Sequence, residues 1–497
     1  MIDARNNDDW QFSMSRIALN RIRGHILLLL TASERLSYSR IKEKLEGALG
    51  AVINPGTLTH HLKVLEDTGL LSKQKIEVSG KASEYSFYAI TDNGRKAHEL
   101  ASRSHLIEDY DKLKPMAEAE PIRIGLLHSL VGTMSMSEEP LVQAATMAIA
   151  EINQKGGVLG RKIVPIIEDG SSDPETFARK ARKLIDDDKV CSVFGCWTSA
   201  SRKAVLEVVE DRENLLWYPV QYEGYERSKN CIYTGATVNQ QILPAIDWCL
   251  ETQGWRRFFL VGSDYVFPRM ANMIIRLHLR KRGDVVGEKY VNLGDWNFKS
   301  VLETIKRSKP DVVLNTVNGD SNIAFFRQLH EEKIGPDKVP VFSFSIAEVE
   351  LRHIGTQFTA GHYCGWNYFQ SIDTPENRRF VRAFKRRYGL ERVTDDPIEA
   401  AYFQVHLFAE AVRKAHSTNV GAIRTAALGL EYGGPGGLVR IDRENQHIWS
   451  EARIGRIRTD GQFDIIWKSE SLIRPDPFPY RDKRLNRLLS SRKRKEI

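Results

Sequence analysis

Cysteine is scarce. The 497 residues hold five, Cys191, Cys196, Cys231, Cys249 and Cys364, an odd number with no CxxC spacing. A disulfide framework is therefore excluded, no metal-binding pair is offered, and reduced structural thiols are expected. Long apolar runs are also lacking. Ile26–Leu30 covers five residues, against about 20 for a membrane span. It lies inside a charged helical pattern, unlike the core of a secretory signal, and the start MIDARNNDDW is polar and acidic. A cytoplasmic chain with no membrane association is expected. Catalytic signatures are missing too: there is no HExxH, no GxSxG and no Walker sequence, and the cleft-loop acids have no nucleophile paired with them. The glycine run Gly433–Gly437 lacks the Gly-Lys-Ser/Thr of a phosphate loop and reads as a turn. No enzyme, cofactor or metal site is expected, and no internal repeat is seen.

What is present is globular: 42% apolar residues, 27% charged, and a mild net charge of +8, which permits nucleic-acid contact without requiring it. The length suits about three compact units. We delimit an N-terminus expected to be disordered (1–12), a small α+β domain (13–113), a linker (114–120), a large α/β domain (121–480) and a basic tail (481–497). The tail carries eight Lys/Arg against two acids, which suits a solubilising segment or a phosphate-contacting arm.

Within 13–113, apolar spacing predicts helices over Arg16–Thr31, Tyr38–Leu49 and Asn54–Thr68. Asn54 is the expected N-cap of the third, Pro55 its first residue and Gly69 its stop. Two β-rich runs, Leu71–Val78 and Glu84–Ile90, flank a Ser79-Gly80-Lys81 turn, and a last helix covers Asp92–Leu113. Three helices and then a hairpin is the winged-helix order. Leu58, Leu62 and Leu65 should face the core, leaving Thr57, Thr59, His60 and Lys63 outward, where such side chains reach base edges in a major groove. Lys73, Lys75 and Lys81 on the hairpin suit phosphate contacts. The segment from Pro55 to Ala97 resembles winged-helix regulators of the arsenic-repressor and multiple-antibiotic-resistance-repressor kind. Thr59, His61-Leu62, Leu65-Glu66, Gly69-Leu70 and Thr91-Asp92-Asn93-Gly94 match their pattern. The metal-sensing cysteines of that group are absent, so the resemblance implies binding to double-stranded DNA and no metal sensing.

From Pro121 onward, β-rich runs (IRIGLL, KIVPIIED, VCSVFG, LLWYPV, RFFLVG, DVVLNT, VPVFSF) alternate with amphipathic helices. The alternation predicts parallel sheets with helices on both faces, in two lobes. We place the first lobe at about 121–240 with 370–430 and the second at about 241–369 with 431–480. Ligands of open parallel sheets sit beyond the carboxyl ends of the strands. The loops there are Cys196–Ser199, Tyr218–Glu223, Ser263–Pro268, Val317–Ser321 and Ser345–Glu348. They combine aromatic walls with neutral hydrogen-bonding groups, and carry the acids Glu223, Asp264, Asp320 and Glu348.

Residues 122–478 resemble the type I periplasmic-binding-protein fold, in its branched-chain-amino-acid, amide and urea group. Carrying runs include GLLHSLVGTMSMSE, GCWTSASRKAV, WYPVQYEGYE, GSDYVFPRMAN, NTVNGDSNIAFF and FSFSIAEVEL. VQYEG, NGDSN and FSIAE look like the urea-transporter binding proteins, with the amide sensors of amidase operons next. The resemblance implies that Trp197, Thr198 and Ser199 hold a carbonyl or amide, that Tyr218, Val220 and Gln221 line the same lobe, and that His128 and Thr133 belong to its first loop. It implies that Tyr265 and Phe267 close the pocket from the second lobe and that Asn318, Gly319 and Asp320 complete it. The sequence departs from the transporter proteins in having a winged helix where their signal peptide stands. The combined expectation is a homodimeric, ligand-responsive transcription regulator in which closure on urea or a short-chain amide changes the spacing of two winged helices. Alternatives are a sensor acting through protein contact, a transporter's binding subunit, or the same design sensing a branched-chain amino acid.

Overall fold

The computed structural model describes residues 21–33, 35–49, 53–77, 84–103 and 120–480. They form two compact units. One comprises the chain up to Pro121 with 154–162, and the other the remainder.

The first unit runs α1 (Arg21–Thr31), a two-residue strand β1 (Leu36–Ser37), α2 (Tyr38–Leu49), α3 (Pro55–Asp67), β2 (Leu71–Glu77), β3 (Glu84–Ile90) and α4 (Asp92–Arg103). This is the helix and hairpin order expected from sequence; the short β1, not anticipated, pairs antiparallel with β3 and gives the sheet order β1-β3-β2. Asn54 caps α3 as predicted, its side chain accepting from the Gly56 N–H at 2.8 Å, and Gly69 supplies the positive φ (71°) that ends the helix. Leu58, Leu62 and Leu65 are buried with Ile26, Leu30, Ile41 and Leu45 in one apolar core. Gly94 is forced by packing: a Cβ there would lie 2.2 Å from the Leu70 carbonyl oxygen. Residues 16–20, the turn with Lys81, and the predicted helix beyond Arg103 lie outside the described residues.

The second unit begins with β4 (Ile122–His128), α5 (Ser135–Gln154), β5 (Ile163–Asp169), α6 (Pro174–Asp186), β6 (Val193–Gly195), α7 (Ser199–Asp211), β7 (Leu216–Tyr218) and β8 (Cys231–Tyr233). These strands make a parallel sheet in the order β5-β4-β6-β7-β8, the core of one lobe. The chain then crosses to a second lobe: α8 (Ile242–Glu251), β9 (Arg257–Ser263), α9 (Val266–Leu279), β10 (Asp284–Val291), α10 (Lys299–Ser308), β11 (Val312–Thr316), α11 (Ser321–Glu331), β12 (Val341–Ser343), α12 (Glu348–Ile354), α13 (Thr356–Thr359) and β13 (Tyr363–Trp366). It returns to the first lobe with α14 (Pro375–Tyr388), α15 (Asp396–Ala415) and α16 (Val420–Ala427), and with a small sheet of β14 (Glu431–Gly434), β15 (Gly437–Ile441) and β16 (Ile448–Trp449). A third crossing delivers β17 (Arg453–Ile457) and β18 (Phe463–Lys468), which extend the second sheet antiparallel into the order β10-β9-β11-β12-β13-β17-β18.

β9 and β11 are buried throughout apart from Arg257. Helices cover both faces of the sheet, so these strands carry unbroken apolar runs instead of alternation. The expected lobe boundary needs one correction. Residues 431–449 belong to the first lobe, because His447 bridges to Tyr233 of β8 and stacks on its ring at 4.1 Å. A two-residue strand such as β16 carries no sequence signal of which sheet it will join. Among the described residues, no helix is long and apolar enough to cross a membrane.

Candidate functional site

The carboxyl ends of β4, β6, β7, β9, β11 and β12 carry the loops singled out in the sequence. After β6 the backbone turns sharply. Gly195 (φ 159°) sits where a Cβ would lie 2.0 Å from the Leu127 carbonyl oxygen, and Cys196 has φ 69°. Strain of this kind collects at binding loops. Here it delivers Trp197, Thr198 and Ser199 to the start of α7. Thr198 is the N-cap, accepting from the Ser201 N–H at 3.1 Å. Ser199 is the first helical residue, and its hydroxyl is committed within the protein: it donates to Glu223 Oε2 at 2.5 Å and accepts from Arg202 Nη1 at 2.9 Å.

Arg202 is the centre of this lobe's electrostatics, and the sequence reading passed over it. It is 0% exposed, lies 4.9 Å and 4.5 Å from the ring centres of Tyr218 and Tyr222, and donates to Glu223 (3.1 Å) and Glu226 (2.8 Å). Burial opposes its charge, but Glu226 and Glu223 outweigh burial and hold it protonated. In return, burial would raise the Glu226 carboxyl, while Arg202 and Lys203 bring it down to about 2. Its spacing from Ser199 was the available signal, since positions i and i+3 share a helix face. The Tyr218 hydroxyl donates to the Trp197 carbonyl at 2.6 Å, which ties two predicted loops together. Val220 is buried against Gly235, where a Cβ would come within 2.1 Å of the Val220 carbonyl. His128 is buried and bonded to Glu138 at 3.2 Å, so it orients the first loop from behind.

The second lobe meets this surface closely. Tyr265 packs on the second-lobe core, and its phenol is raised by burial and then by the charge of Glu223, with Arg202 opposing. Phe267, expected as a pocket wall, belongs to the second-lobe core. Asn318 is buried, its N–H donating to Ser263 Oγ at 3.1 Å and its amide to the Thr316 carbonyl. Gly319 has φ 66°, and a Cβ there would sit 3.2 Å from the Thr133 carbonyl. The two lips therefore touch, and the cleft is closed. Ser137 donates to Glu350 across it at 2.6 Å, and the Gln221 amide donates to the Phe344 carbonyl at 3.1 Å.

Among the described residues, four buried side-chain oxygens of these loops have no partner: Gln221 Oε1, Asp320 Oδ1, Ser345 Oγ and Glu348 Oε2. Asp320 precedes α11 yet makes no capping bond. In the first unit, Thr57, Thr59, His60 and Lys63 are all exposed on α3, as expected, and Lys73 is exposed on β2. Lys75 lies in β2 opposite Ser86, and Lys81 lies outside the described residues. His61 turns inward, accepting from Arg23 Nε at 3.2 Å, so it is not paired with His60 as a ligand set. Among the described residues no group of three or more His, Cys, Asp or Glu is placed to hold a metal.

Two lobes, one on a parallel sheet and one on a parallel sheet with an antiparallel end, joined by three crossovers and with a polar cleft at the strand ends, define a solute-binding clamp. Residues 122–484 match the periplasmic binding protein domain, and the chain belongs to that family. Among curated relatives, the Leu/Ile/Val-binding protein BraC3 of Rhizobium johnstonii is 25% identical over 322 residues, 63% of this chain and 84% of that one. A limonene hydroxylase of Geobacillus stearothermophilus is 35% identical over 144 residues, which spans only 25% of that protein. An ABC transporter substrate-binding protein from Sphaerobacter thermophilus superposes with a TM-score of 0.62 at 25% identity, over 70% of this chain and 98% of that one. A solute-binding protein of Rhodopseudomonas palustris in complex with p-hydroxybenzoic acid superposes at 0.66 with 20% identity, over 71% and 98%. These likenesses give a ligand-binding domain of this fold, in a family of solute-binding proteins.

Proposed function

We propose that the chain is a solute-responsive regulator whose clamp closes on a small neutral amide-type solute, urea or a short-chain amide, and whose first unit is a winged helix that binds double-stranded DNA as part of a homodimer in the cytoplasm. The ligand class rests on one observation: the cation of the first-lobe pocket is already saturated. Arg202 is held by Glu223, Glu226 and Ser199, so a ligand carboxylate would have to displace a buried ion pair. The unpartnered Gln221, Asp320 and Ser345 oxygens call instead for N–H donors, since a buried acceptor without a donor costs about 1–3 kcal/mol. The DNA half is supported by the exposed Thr57, Thr59, His60 and Lys63 on one helix.

A second reading is favoured by the relatives. Those named as Leu/Ile/Val-binding proteins and transporter substrate-binding proteins support a clamp for a branched-chain amino acid, its ammonium group on Asp320, serving regulation or transport. Thermal melting with urea, acetamide, formamide, leucine and valine separates the two. A ligand at 100 times its Kd should add about 2.7 kcal/mol, with urea kept at millimolar levels, where its denaturing effect is negligible. A rise with leucine or valine and none with amides rejects the neutral-solute reading. The absence of a salt-sensitive DNA footprint at every ligand condition rejects the DNA half and leaves a sensor that works by protein contact.

A further inference from the structure

The first lobe carries one strongly charged face that the clamp does not use. α14 has six basic residues, Arg378, Arg379, Arg382, Lys385, Arg386 and Arg387, against Glu376 alone. Its net charge of +5 is more than half of the +8 of the whole chain. Thr374 caps the helix, accepting from the Asn377 N–H at 3.2 Å. Phe380 and Phe384 pack inward, Phe380 against Tyr402 of α15. The basic side is thereby turned to solvent, and between Arg378 and Arg387 every exposed residue is an arginine.

Folding accounts for only part of this charge. Arg378 pairs with Asp373, and Arg379 with Glu376 at 3.1 Å. Among the described residues no carboxylate pairs with Arg382, Lys385, Arg386 or Arg387. Arg382 donates to the Arg378 carbonyl at 3.1 Å, and Arg387 lies over the Tyr388 ring, 5.6 Å from its centre. Other arginines at the surface of the same lobe do find acids: Arg212 at Asp186, Arg392 at Glu139 and Arg413 at Glu410. The helix dipole favours cations in the last turn, but the like charges of Arg378, Arg382 and Arg386, each four residues apart, oppose the helix. The same spacing lays these three along one face, about 12 Å from end to end at a rise of 1.5 Å per residue. A DNA strand presents a phosphate about every 3.4 Å along its axis, so roughly three or four phosphates fall along that length. An arginine fork takes two phosphate oxygens at once, which the point charge of lysine does not.

We propose that α14 is a second DNA-contacting surface of this chain, one that takes the sugar-phosphate backbone of double-stranded DNA without regard to sequence. It rests on the reading of the chain as a DNA-binding regulator, and adds to it a contact made by the solute-binding domain itself. A duplex fits this face better than an acidic protein does. A protein interface is built on an apolar or aromatic centre, and the exposed positions from Arg378 to Arg387 offer guanidinium groups alone. Contacts of this kind position a protein on DNA and set the salt dependence of its affinity, while base readout is left to other residues.

The test uses the full chain and a fluorescein-labelled duplex of random sequence, with binding followed by anisotropy across a sodium chloride series. Each phosphate contact contributes about 0.9 to the slope of log affinity against log salt. The variant R382Q/K385Q/R386Q/R387Q should lose about 1.8 or more of that slope, two contacts' worth, and bind about tenfold or more weakly at low salt. The variant R382K/R386K/R387K keeps the charge and should keep the slope, which separates lost charge from a folding defect. Lys63→Gln, on α3 of the first unit, tests the DNA reading separately and should lose about 0.9. An unchanged slope in the glutamine variant beside a lowered one in Lys63→Gln overturns the proposal and leaves the DNA reading standing. A lysine variant that loses as much slope as the glutamine variant also overturns it. Absent or salt-independent binding by the wild type overturns both. If the glutamine variant loses affinity for poly-glutamate and keeps its affinity for the duplex, the face takes an acidic protein and the proposal fails.

Discussion

Arg202→Met is the sharpest perturbation of the cleft. Methionine fills much of the same space between Tyr218 and Tyr222 but takes away the guanidinium that meets Glu223, Glu226 and Ser199. Two carboxylates are then left in a buried site with Lys203 on Glu226 as the remaining cation. Removing one partner of a buried pair costs about 3–5 kcal/mol, against about 0.2–1 kcal/mol for an exposed pair. A native domain has about 5–15 kcal/mol to lose, so the effect is a large fraction of the total. Unfolding should be driven by guanidinium chloride, because urea is a candidate ligand, and followed by tryptophan fluorescence, to which the buried Trp217 contributes. The midpoint should fall with the slope unchanged. Adding Glu223→Gln and Glu226→Gln should restore part of the loss, because the uncompensated charge goes with the carboxylates. A cost below about 1 kcal/mol, or no recovery in the triple variant, would refute the account of Arg202 as the saturated cation on which the choice of ligand rests.

Two further outcomes follow from the same structure. Burial pushes Glu348 up to about 8, above its ordinary carboxyl value. Its contribution to stability is therefore complete below about pH 4.5 and is lost as pH rises toward 8. Melting temperature should decline over that range, and less steeply in Glu348→Gln, which can still accept from the Gln370 N–H; parallel profiles in the two proteins would contradict this. Gly94→Ala forces a Cβ to within 2.2 Å of the Leu70 carbonyl, so the first unit should lose about 1–3 kcal/mol, read as weaker amide-exchange protection of Leu58, Leu62 and Leu65, with the cleft's ligand response intact.

The fold was legible because its signals are local. Asn54-Pro55 at the start of α3 and Gly69 at its end are set by capping and backbone chemistry that needs no tertiary partner. The alternation of apolar strands with amphipathic helices carries the parallel parts of both sheets in the same way, though not the antiparallel β17 and β18. Where a decision depended on a distant partner, sequence was silent. β1 is two residues long and exists only because β3 offers it an edge, and β16 joins the first lobe because His447 finds Tyr233.

The site divides along the same line. Loops at strand ends follow from topology, so the loops that carry Trp197, Ser199, Tyr218, Gln221, Tyr265 and Asp320 could be placed in advance. What each side chain does there is set by residues far off in sequence. Ser199 looked like a hydroxyl aimed at ligand, yet it is bonded to Glu223, 24 positions on, and to Arg202. Phe267 looked like a wall and is core. Such reassignment changes the chemistry more than the geometry: the first-lobe cluster is balanced because Arg202 and Lys203 together face Glu223 and Glu226. That balance makes the cleft sensitive to ligand charge. A carboxylate entering beside Glu223 meets a guanidinium already in use, whereas a neutral N–H donor can fill the vacant Gln221, Asp320 and Ser345 oxygens without disturbing it.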